Sequence, residues 1–241
     1  MKEITSSKND IFKKLQSLLQ SKGIKKHHEF LLSGEKIVCE NTHLDATVIY
    51  HSKMDIPPAF SKNKSLCLSK ELFKQLDENN THFPLLLCSY AQFTPWRPQE
   101  SSQDSYIFLP LGDPKNLGSA VRSCIAFGFK NIVLLKESSH PFHPKAIKSS
   151  SGAVLKACFF EGPGIHELVS EKKSPFLSLD TNGQSIRDFQ WPAKFNLIVG
   201  EEGPGVPEKL KTISIQIPIS SDVESLNAAH ALSIGLFSAS K

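Results

Sequence analysis

Two apolar runs, separated by a turn and a helix-like stretch, constrain the fold of the second half of this chain more than any other feature. The runs are Tyr106–Leu111 and Ile132–Leu135, and the turn begins at Gly112. Residues that bend the backbone or cap helices follow, and Asn116 is suited to cap a helix that starts at Leu117. The pattern predicts a strand, a tight turn, a helix and a second strand, which together form a βαβ unit.

The start of the predicted helix is suited to an anion. Free N–H groups point outward where a helix begins at the end of a strand. The side chain of Arg122, in the second helical turn, leans back toward the same position. The stretch Gly112–Arg122 therefore favours a phosphate site, although an ordinary strand-to-helix turn with a surface arginine has the same pattern. Arginine is rare in this chain, which has it only at positions 97, 122 and 187.

The alternation of strands and helices continues toward the C-terminus. Further strands are predicted at 157–160, 175–179, 195–199 and 213–219, and helices near 144–150, 164–172, 206–210 and 226–238. Such alternation is typical of an α/β fold whose parallel sheet is covered on both faces. Ligands bind such sheets beyond the carboxyl ends of the strands. Two loops follow predicted strands there, Gly200–Gly205 and Ser220–Asn227.

The first 90 residues are predicted to form a smaller α/β unit, because short apolar runs alternate with helical segments. Its first helix is predicted over residues 7–20 with Ser7 as the N-cap. Four apolar residues share one face of that helix: Ile11, Leu15, Leu18 and Leu19. The stretch 91–104 is polar, contains two prolines and predicts a linker. We therefore expect one domain over residues 1–90 and a second over 105–241.

The composition is that of a globular protein of one or two domains. The chain has 241 residues, of which 39% are hydrophobic and 22% are charged. No apolar run is long enough to span a membrane, and no signal peptide is recognisable. The five cysteines are scattered without a CxxC pair, which argues against disulfides and zinc and favours a reducing cytoplasm. His140 and His143 lie among prolines without a nearby carboxylate or cysteine, so we expect no metal.

The net charge of +4 is mild, but positive charge is concentrated near the N-terminus. Residues 1–28 contain seven lysines against two acidic residues, Glu3 and Asp10. A basic patch of this kind suits a phosphate backbone, while a solvated helix face has the same composition. Six lysines are candidate phosphate contacts: Lys13, Lys14, Lys25, Lys26, Lys145 and Lys148.

Three stretches together resemble the motifs of one enzyme family. They are Gly112–Arg122, Gly200–Val206 and Ile217–Ala229, and we refer to them as the three motif stretches. Their order and approximate spacing resemble those of the SpoU branch of the SPOUT methyltransferases, the TrmH-like RNA ribose 2′-O-methyltransferases. Ser151–Ala153, between the first two, also matches. The resemblance covers the whole predicted C-terminal domain, whereas the N-terminal domain resembles the family's substrate-binding domain in pattern only.

The resemblance implies an enzyme that transfers a methyl group from S-adenosyl-L-methionine (AdoMet) to a ribose 2′-hydroxyl of structured RNA, with rRNA favoured over tRNA. It also implies a deep trefoil knot in a C-terminal SPOUT domain, an L30e-like N-terminal domain and a homodimer through the knot region. With RNA as the substrate, the six lysines selected from the charge pattern become candidate RNA contacts. Two other functions are weighed against this one. They are a catalytically silent RNA-binding module of the same fold and a SPOUT enzyme that methylates a base.

Backbone atoms of the knot loops hold most of the cofactor in the family. Glycines allow the backbone to approach a ligand closely, and a purine fits among apolar side chains. The resemblance therefore assigns cofactor binding to six residues: Leu179, Gly200, Gly203, Gly205, Ile217 and Leu226.

The resemblance assigns catalysis to five residues: Asn116, Arg122, Glu202, Ser225 and Asn227. Arg122 would activate the hydroxyl, either by accepting its proton or by clamping the neighbouring phosphate and stabilising the developing alkoxide. Asn116 and Asn227 would position Arg122 or the nucleotide through hydrogen bonds, and Glu202 would orient Arg122. Ser225 would contact the ribose or the phosphate, or would serve only as the N-cap of the last helix.

Two residues depart from the family pattern. Glu201 stands where relatives often have Asn, Ser or Pro, and it adds negative charge beside the site. Ser221 stands where a glycine is common, and a serine would be strained there if the backbone required a positive φ.

Overall fold

The computed structural model describes residues 3–98, 104–168 and 175–240. The chain packs as two compact units. The first contains the residues up to Gln92 together with His140–Gly152, and the second contains Phe93–Ser139 together with the chain from Ala153 onward. The chain therefore passes from one unit to the other after residues 92, 139 and 152.

Helices and strands alternate along both units. The helices are α1 (Asp10–Ser17), α2 (Ser21–His27), α3 (Glu35–Glu40), α4 (Lys70–Leu76), α5 (Pro114–Ala126), α6 (Pro144–Ser149) and α7 (Ala228–Ala239). The strands are β1 (Glu29–Leu32), β2 (Ala46–His51), β3 (Ser65–Leu68), β4 (Leu85–Ser89), β5 (Thr94–Pro95), β6 (Tyr106–Leu109), β7 (Asn131–Leu134), β8 (Cys158–Glu161), β9 (Phe176–Asp180), β10 (Gln184–Ser185), β11 (Asn196–Ile198) and β12 (Ile213–Gln216).

A mixed four-stranded sheet forms the centre of the first unit. Its order is β1-β4-β2-β3, with β4 antiparallel to both of its neighbours and β2 parallel to β3. The apolar runs of this half predict strands at 30–32, 46–50, 66–68 and 84–88, and each is present within one residue of these bounds. Their side chains supply much of the buried core, including Leu32, Val48, Ile49 and Leu85.

The first helix is shorter than the sequence predicts. Its N-cap is Asn9, whose Oδ1 accepts hydrogen bonds from Ile11 N at 2.9 Å and Phe12 N at 3.4 Å, so the expectation of Ser7 as the cap is wrong. The buried face of this helix contains Phe12 and Leu15, which are both fully buried, whereas Ile11, predicted on that face, is 50% exposed. Leu18 and Leu19 lie between α1 and α2 and are buried there.

The segment His140–Gly152 packs with the first unit, although the predicted domain boundary places it in the second. The Phe142 ring stacks on the Phe30 ring with centroids 4.4 Å apart. Gly152 approaches Ile37, whose Cγ2 lies 3.2 Å from the position a Cβ would take. The apolar side chains of this segment are buried against the N-terminal sheet. The segment therefore belongs to the first unit, although its neighbours in sequence belong to the second.

An eight-stranded parallel sheet forms the centre of the second unit, as the alternating pattern predicts. Its order is β10-β12-β9-β11-β6-β7-β8-β5, and every pair in it is parallel. From β6 the sheet grows in one direction through β7 and β8, and in the other through β11, β9 and β12. The carboxyl ends on either side of this reversal are where ligands bind in open α/β sheets.

The predicted linker contains structure. Thr94–Pro95 forms the edge strand β5, which pairs with β8, and the Trp96 ring packs edge-on against Phe108 at a centroid distance of 4.9 Å. Proline suits an edge strand because it cannot donate a ladder hydrogen bond. The first part of the predicted linker over 91–104 thus contributes a strand to the second sheet, while residues 99–103 lie outside the described part.

Two predicted helices of the second unit are much shorter than expected. Within the described residues, the helix predicted at 164–172 is a single 3₁₀ turn over Ile165–Glu167, and residues 169–174 lie outside them. The helix predicted at 206–210 is a 3₁₀ turn over Glu208–Leu210. Pro207 is the N-cap of this second turn, and its ring disfavours a helical conformation at Val206, so the turn begins only at Glu208.

Both faces of the parallel sheet are covered. Tyr106 and Phe108 point to one face, where they join a buried cluster with Ile165, Phe176 and Leu210. Ile107 and Leu109 alternate to the opposite face and are also fully buried. Within the described residues, no helix has the length and apolarity needed to cross a membrane. All five cysteines are free thiols.

We expect Phe142→Ala to destabilise the first unit by about 3–5 kcal/mol, because it removes a buried ring from a well-packed position. The free energy of unfolding is measured by urea denaturation followed by circular dichroism. The matched control is Ile11→Ala, whose side chain is half exposed, and which should cost less than about 1 kcal/mol. Equal stability of the two variants would show that His140–Gly152 does not contribute to the core of the first unit.

Candidate functional site

The helix of the first motif stretch begins earlier than the sequence predicts. Asp113, not Asn116, is the N-cap of α5, and its Oδ1 accepts hydrogen bonds from Lys115 N at 2.8 Å and Asn116 N at 2.9 Å. Pro114 occupies the first helical position, where its missing N–H is not needed. The expectation that Asn116 caps the helix is therefore wrong, and its side chain is available for other contacts.

A chain of side-chain hydrogen bonds joins the three motif stretches. Asn116 Nδ2 donates to Glu202 Oε1, and Asn116 Oδ1 accepts from Asn227 Nδ2 at 3.2 Å. Asn227 Oδ1 in turn accepts from Ala229 N at 2.9 Å and His230 N at 3.4 Å, which makes Asn227 the N-cap of α7. Three residues that the sequence analysis selected thus meet at the carboxyl edge of the parallel sheet.

Arg122 lies apart from this chain of hydrogen bonds. Its side chain is exposed on α5, and within the described ranges it has neither an ion pair nor a hydrogen bond. Glu202 accepts a hydrogen bond from Asn116 and not from Arg122, so the expectation that Glu202 orients Arg122 is wrong. The guanidinium faces solvent and is available to an incoming group.

Ser225 is exposed and does not cap the last helix. That position belongs to Asn227, two residues later. The N-cap alternative for Ser225 is therefore wrong, and its hydroxyl makes no hydrogen bond to any other described residue.

A cavity of about 890 Å³ lies beside the hydrogen-bonded residues, at the ends of β9, β11 and β12. All six residues selected for cofactor binding line it: Leu179, Gly200, Gly203, Gly205, Ile217 and Leu226. Glu202, Ser225 and Asn227 also line it. The cavity has the size of a small-molecule site, and it combines apolar side chains with open backbone.

The loop after β11 requires its glycines. A Cβ on Gly200 would lie 2.7 Å from Gly205 Cα, closer than real Cβ contacts allow. Glu201 and Gly205 exchange two backbone hydrogen bonds of 3.1 Å, which close the loop on itself. Gly203 and Gly205 have φ values of 97° and 76°, in the left-handed region that side chains disfavour.

The two departures from the family pattern are accommodated. The Glu201 side chain is only 22% exposed, and its Oε1 lies 3.7 Å from His166 Nε2. The carboxylate therefore has the His166 ring as a neighbour. Ser221 is not among the residues with positive φ, and its backbone is therefore not strained.

An ion pair that the sequence analysis missed forms part of the cavity wall. Lys211 Nζ lies 2.9 Å from Asp180 Oδ2 and 2.6 Å from Glu208 Oε1. Burial alone would raise the pKa of Asp180. Hydrogen bonds from Lys211, from the Asn182 backbone N–H and from Thr181 outweigh burial, and the pKa of Asp180 lies below its ordinary value. The available signal was an acidic residue at the end of a predicted parallel strand.

The six candidate lysines have different surroundings. Lys13 lies 3.5 Å from Asp10, and Lys14 lies 2.5 Å from Glu29, so both have acidic partners. The other four are exposed and have no ion pair to any described residue: Lys25, Lys26, Lys145 and Lys148. All six lie in the first unit.

Neither histidine of the proline-rich segment is arranged to bind a metal. His140 Nε2 is 2.9 Å from Tyr90 Oη, and its Nδ1 accepts from Phe142 N. His143 Nδ1 accepts from Lys145 N at 3.2 Å. Across the described residues, no group of three His, Cys, Asp or Glu side chains has a metal-binding arrangement.

Comparison with known proteins identifies the family. Residues 107–237 match the SpoU rRNA Methylase family. This match covers more than half of the chain, and the chain belongs to that family. The resemblance inferred from the three motif stretches is thus confirmed.

Two named relatives are similar in sequence to nearly the whole of this chain. It is 37% identical over 247 residues to the ribosomal RNA small subunit methyltransferase G 2 of Syntrophobacter fumaroxidans, which aligns with all of this chain and with 49% of its own length. This chain therefore spans about half of that relative. It is 26% identical to the 23S rRNA (guanosine(2553)-2′-O)-methyltransferase RlmP of Bacillus subtilis, with 97% of each protein covered.

Solved structures share the fold. The AdoMet-bound rRNA methyltransferase of Sinorhizobium meliloti superposes with a TM-score of 0.80 at 22% identity, covering 99% of this chain and 97% of that one. The SpoU methyltransferase AviRb of Streptomyces viridochromogenes, in complex with AdoMet, gives 0.78 at 20% identity, with 97% of both chains covered. These similarities confirm the α/β fold with a parallel sheet.

We expect Asp180→Asn to lower the free energy of unfolding by about 1.5–3 kcal/mol at pH 7, because it weakens hydrogen bonds to a charged group. The pKa of Asp180 is lower in the folded than in the unfolded protein, so its stabilisation is present above the unfolded pKa of about 3.9 and is lost as pH falls through the folded value. The difference between wild type and variant, measured by urea denaturation, should therefore narrow below about pH 4. The exposed Asp188→Asn is the control, and a pH-independent difference would contradict the assignment.

Proposed function

We propose that this chain transfers the methyl group of AdoMet to a ribose 2′-hydroxyl of structured RNA, and that the RNA is rRNA. The observation that carries the proposal is the meeting of Asn116, Glu202 and Asn227, one from each motif stretch, at the rim of the cavity. Membership of the SpoU rRNA Methylase family supports the reaction class. The named relatives that act on rRNA support the choice of rRNA over tRNA.

The cavity fits AdoMet. Leu179, Ile217 and Leu226 provide apolar surface for a purine, and the loop closed by Gly200 and Gly205 leaves backbone exposed without side chains in the way. We assign the six cofactor residues to this role as a group. When bound, AdoMet supplies a methyl group activated by a positively charged sulfur.

Arg122 is assigned to the RNA side of the site. The exposed Arg122 guanidinium has no hydrogen bond or ion pair to any described residue, so its five N–H donors are available to a phosphate. We therefore favour the clamp over the base. Arg122 would hold the phosphate beside the target ribose and stabilise the negative charge that develops on the 2′-oxygen.

Asn116, Glu202 and Asn227 are assigned to positioning. Each end of the Asn116 amide is occupied, so the start of α5 is tied to the cavity rim and to the start of α7. This tie would keep the phosphate-binding end of the site at a fixed distance from the cofactor, and such alignment is worth several kcal/mol in a transfer reaction. The exposed Ser225 hydroxyl is assigned to a contact with the ribose or its phosphate.

Four finer features are also part of the proposal. They are a trefoil knot in the second unit, an L30e-like fold for the first, a cytoplasmic location and a homodimer. The five free thiols support the location. Ile234 and Phe237, which are 40% and 70% exposed on α7, support an apolar dimer face.

Light scattering at micromolar concentration should give a dimer mass for wild type and a monomer mass for Phe237→Glu, and a monomeric wild type would contradict the dimer.

The reaction is tested by incubating the protein with methyl-labelled AdoMet and either total rRNA or total tRNA, followed by digestion to nucleosides. We expect label in a 2′-O-methylated nucleoside from rRNA. Label in a base would replace this proposal with base methylation, and the absence of label from any RNA would favour a silent RNA-binding module. Label in tRNA alone would change the substrate and keep the reaction.

We expect Arg122→Ala to slow methyl transfer by about 10²–10³-fold, because it removes the cation that stabilises the developing charge. AdoMet binding, measured by calorimetry, should stay within about twofold of wild type, because Arg122 does not line the cavity. Arg187→Ala, an exposed arginine of the same unit, is the control and should turn over like wild type. Wild-type turnover in Arg122→Ala would remove this residue from the mechanism.

A further inference from the structure

The end of α2 and the residues before α6 form one surface of the first unit. His140 N donates to Ser21 Oγ at 3.3 Å. Tyr90 Oη reaches both Ile24 O, at 3.3 Å, and His140 Nε2, at 2.9 Å. Segments that are distant in sequence are thus held side by side by the tyrosine between them.

This surface is positively charged and lacks acidic residues. Residues 20–28 and 140–152 contain lysines and histidines but no aspartate or glutamate. Five lysines are exposed on these segments without an ion pair to any described residue. One is Lys22, and the other four are candidate phosphate contacts from the sequence: Lys25, Lys26, Lys145 and Lys148. This positive charge also affects the buried His140 side chain. Burial first, and then the nearby Lys25, His143 and His28, lower the pKa of His140 to about 3.

An exposed ring lies among these lysines. His28 follows α2 in a left-handed conformation, with φ 50° and ψ 36°, and its side chain is open to solvent. Tyr90 N donates to His28 O at 3.0 Å, so the two residues extend the β1–β4 ladder by one pair. Their ring centroids are 5.6 Å apart. The Tyr90 ring is itself held edge-on against Phe142 at 5.1 Å, which gives His28 a rigid neighbour.

We propose that this surface binds unpaired RNA, with a base stacked on His28 and the four lysines on the flanking phosphates. Proteins bind single-stranded nucleic acids by stacking bases on aromatic rings and by placing positive charges along the phosphate backbone. A duplex hides the faces of its bases and is recognised through phosphates and 2′-hydroxyls instead. The inference rests on the proposed RNA substrate and adds the class of RNA segment that the first unit selects.

The stacking is tested by fluorescence anisotropy with a labelled single-stranded RNA of about 12 nucleotides and with the same strand annealed to its complement. Wild type should bind the single strand about tenfold or more tightly than the duplex. His28→Ala should weaken single-strand binding by about tenfold, and His28→Tyr should retain it, because every base stacks on an aromatic ring. The control is His43→Ala, an exposed histidine of the same unit.

The phosphate contacts are tested by the salt dependence of binding to the same single strand. One variant carries four substitutions: Lys25→Gln, Lys26→Gln, Lys145→Gln and Lys148→Gln. The slope of log Kd against log salt concentration should fall by roughly 3, since each phosphate contact on a single strand contributes about 0.7. Lys62→Gln, at an exposed lysine elsewhere in the first unit, should leave the slope unchanged. Circular dichroism checks that every variant is folded.

Equal or tighter binding of the duplex by wild type would overturn the proposal, as would unchanged single-strand binding by His28→Ala. These outcomes are separate from the test of the reaction. Methyl transfer by wild type without any effect of the His28 and lysine variants on binding would reject this surface and keep the proposed function. Single-strand binding that depends on them, without methyl transfer to any RNA, would reject the proposed function and keep the surface.

Discussion

The two ends of one side-chain amide hold the candidate site together. Asn116 donates to Glu202 and accepts from Asn227, and an amide offers its donor and its acceptor on opposite arms, so only one orientation satisfies both partners. This arrangement requires that Asn116 be free of capping duty. Asp113 makes it free, because the aspartate accepts the first N–H groups of α5 in its place.

The parallel sheet explains why such distant residues meet. Strands that all run in one direction bring every following loop to the same edge, and the order reverses at β6, so the loops after β6, β11 and β12 surround one opening. The glycines of the loop after β11 then let its backbone fold tightly enough to leave a cavity. The apolar runs form the parallel sheet, and the loops at the carboxyl edge of that sheet bring the polar residues of the site together.

The apolar runs and turn residues of the sequence were sufficient to predict this sheet. The residues around its cavity followed instead from the resemblance of the three motif stretches to a known family. Choices among neighbouring residues of the same kind were not predictable. Asp113 and Asn116 both suit an N-cap, as do Ser225 and Asn227, and only tertiary contacts decide between them. The ion pair of Asp180 and Lys211 was missed for a related reason, since it joins separate segments and leaves no periodic signal.

The packing of His140–Gly152 was likewise hidden, because its two flanks continue the strand and helix pattern of the second unit. Its consequence concerns the order in which the protein is made. A ribosome completes residues 1–92 well before residue 152, and until then the ring of Phe30 lacks the ring of Phe142. The N-terminal unit therefore emerges with an uncovered apolar patch and cannot finish folding on its own during synthesis. Its last piece arrives only after β6, α5 and β7 have been translated.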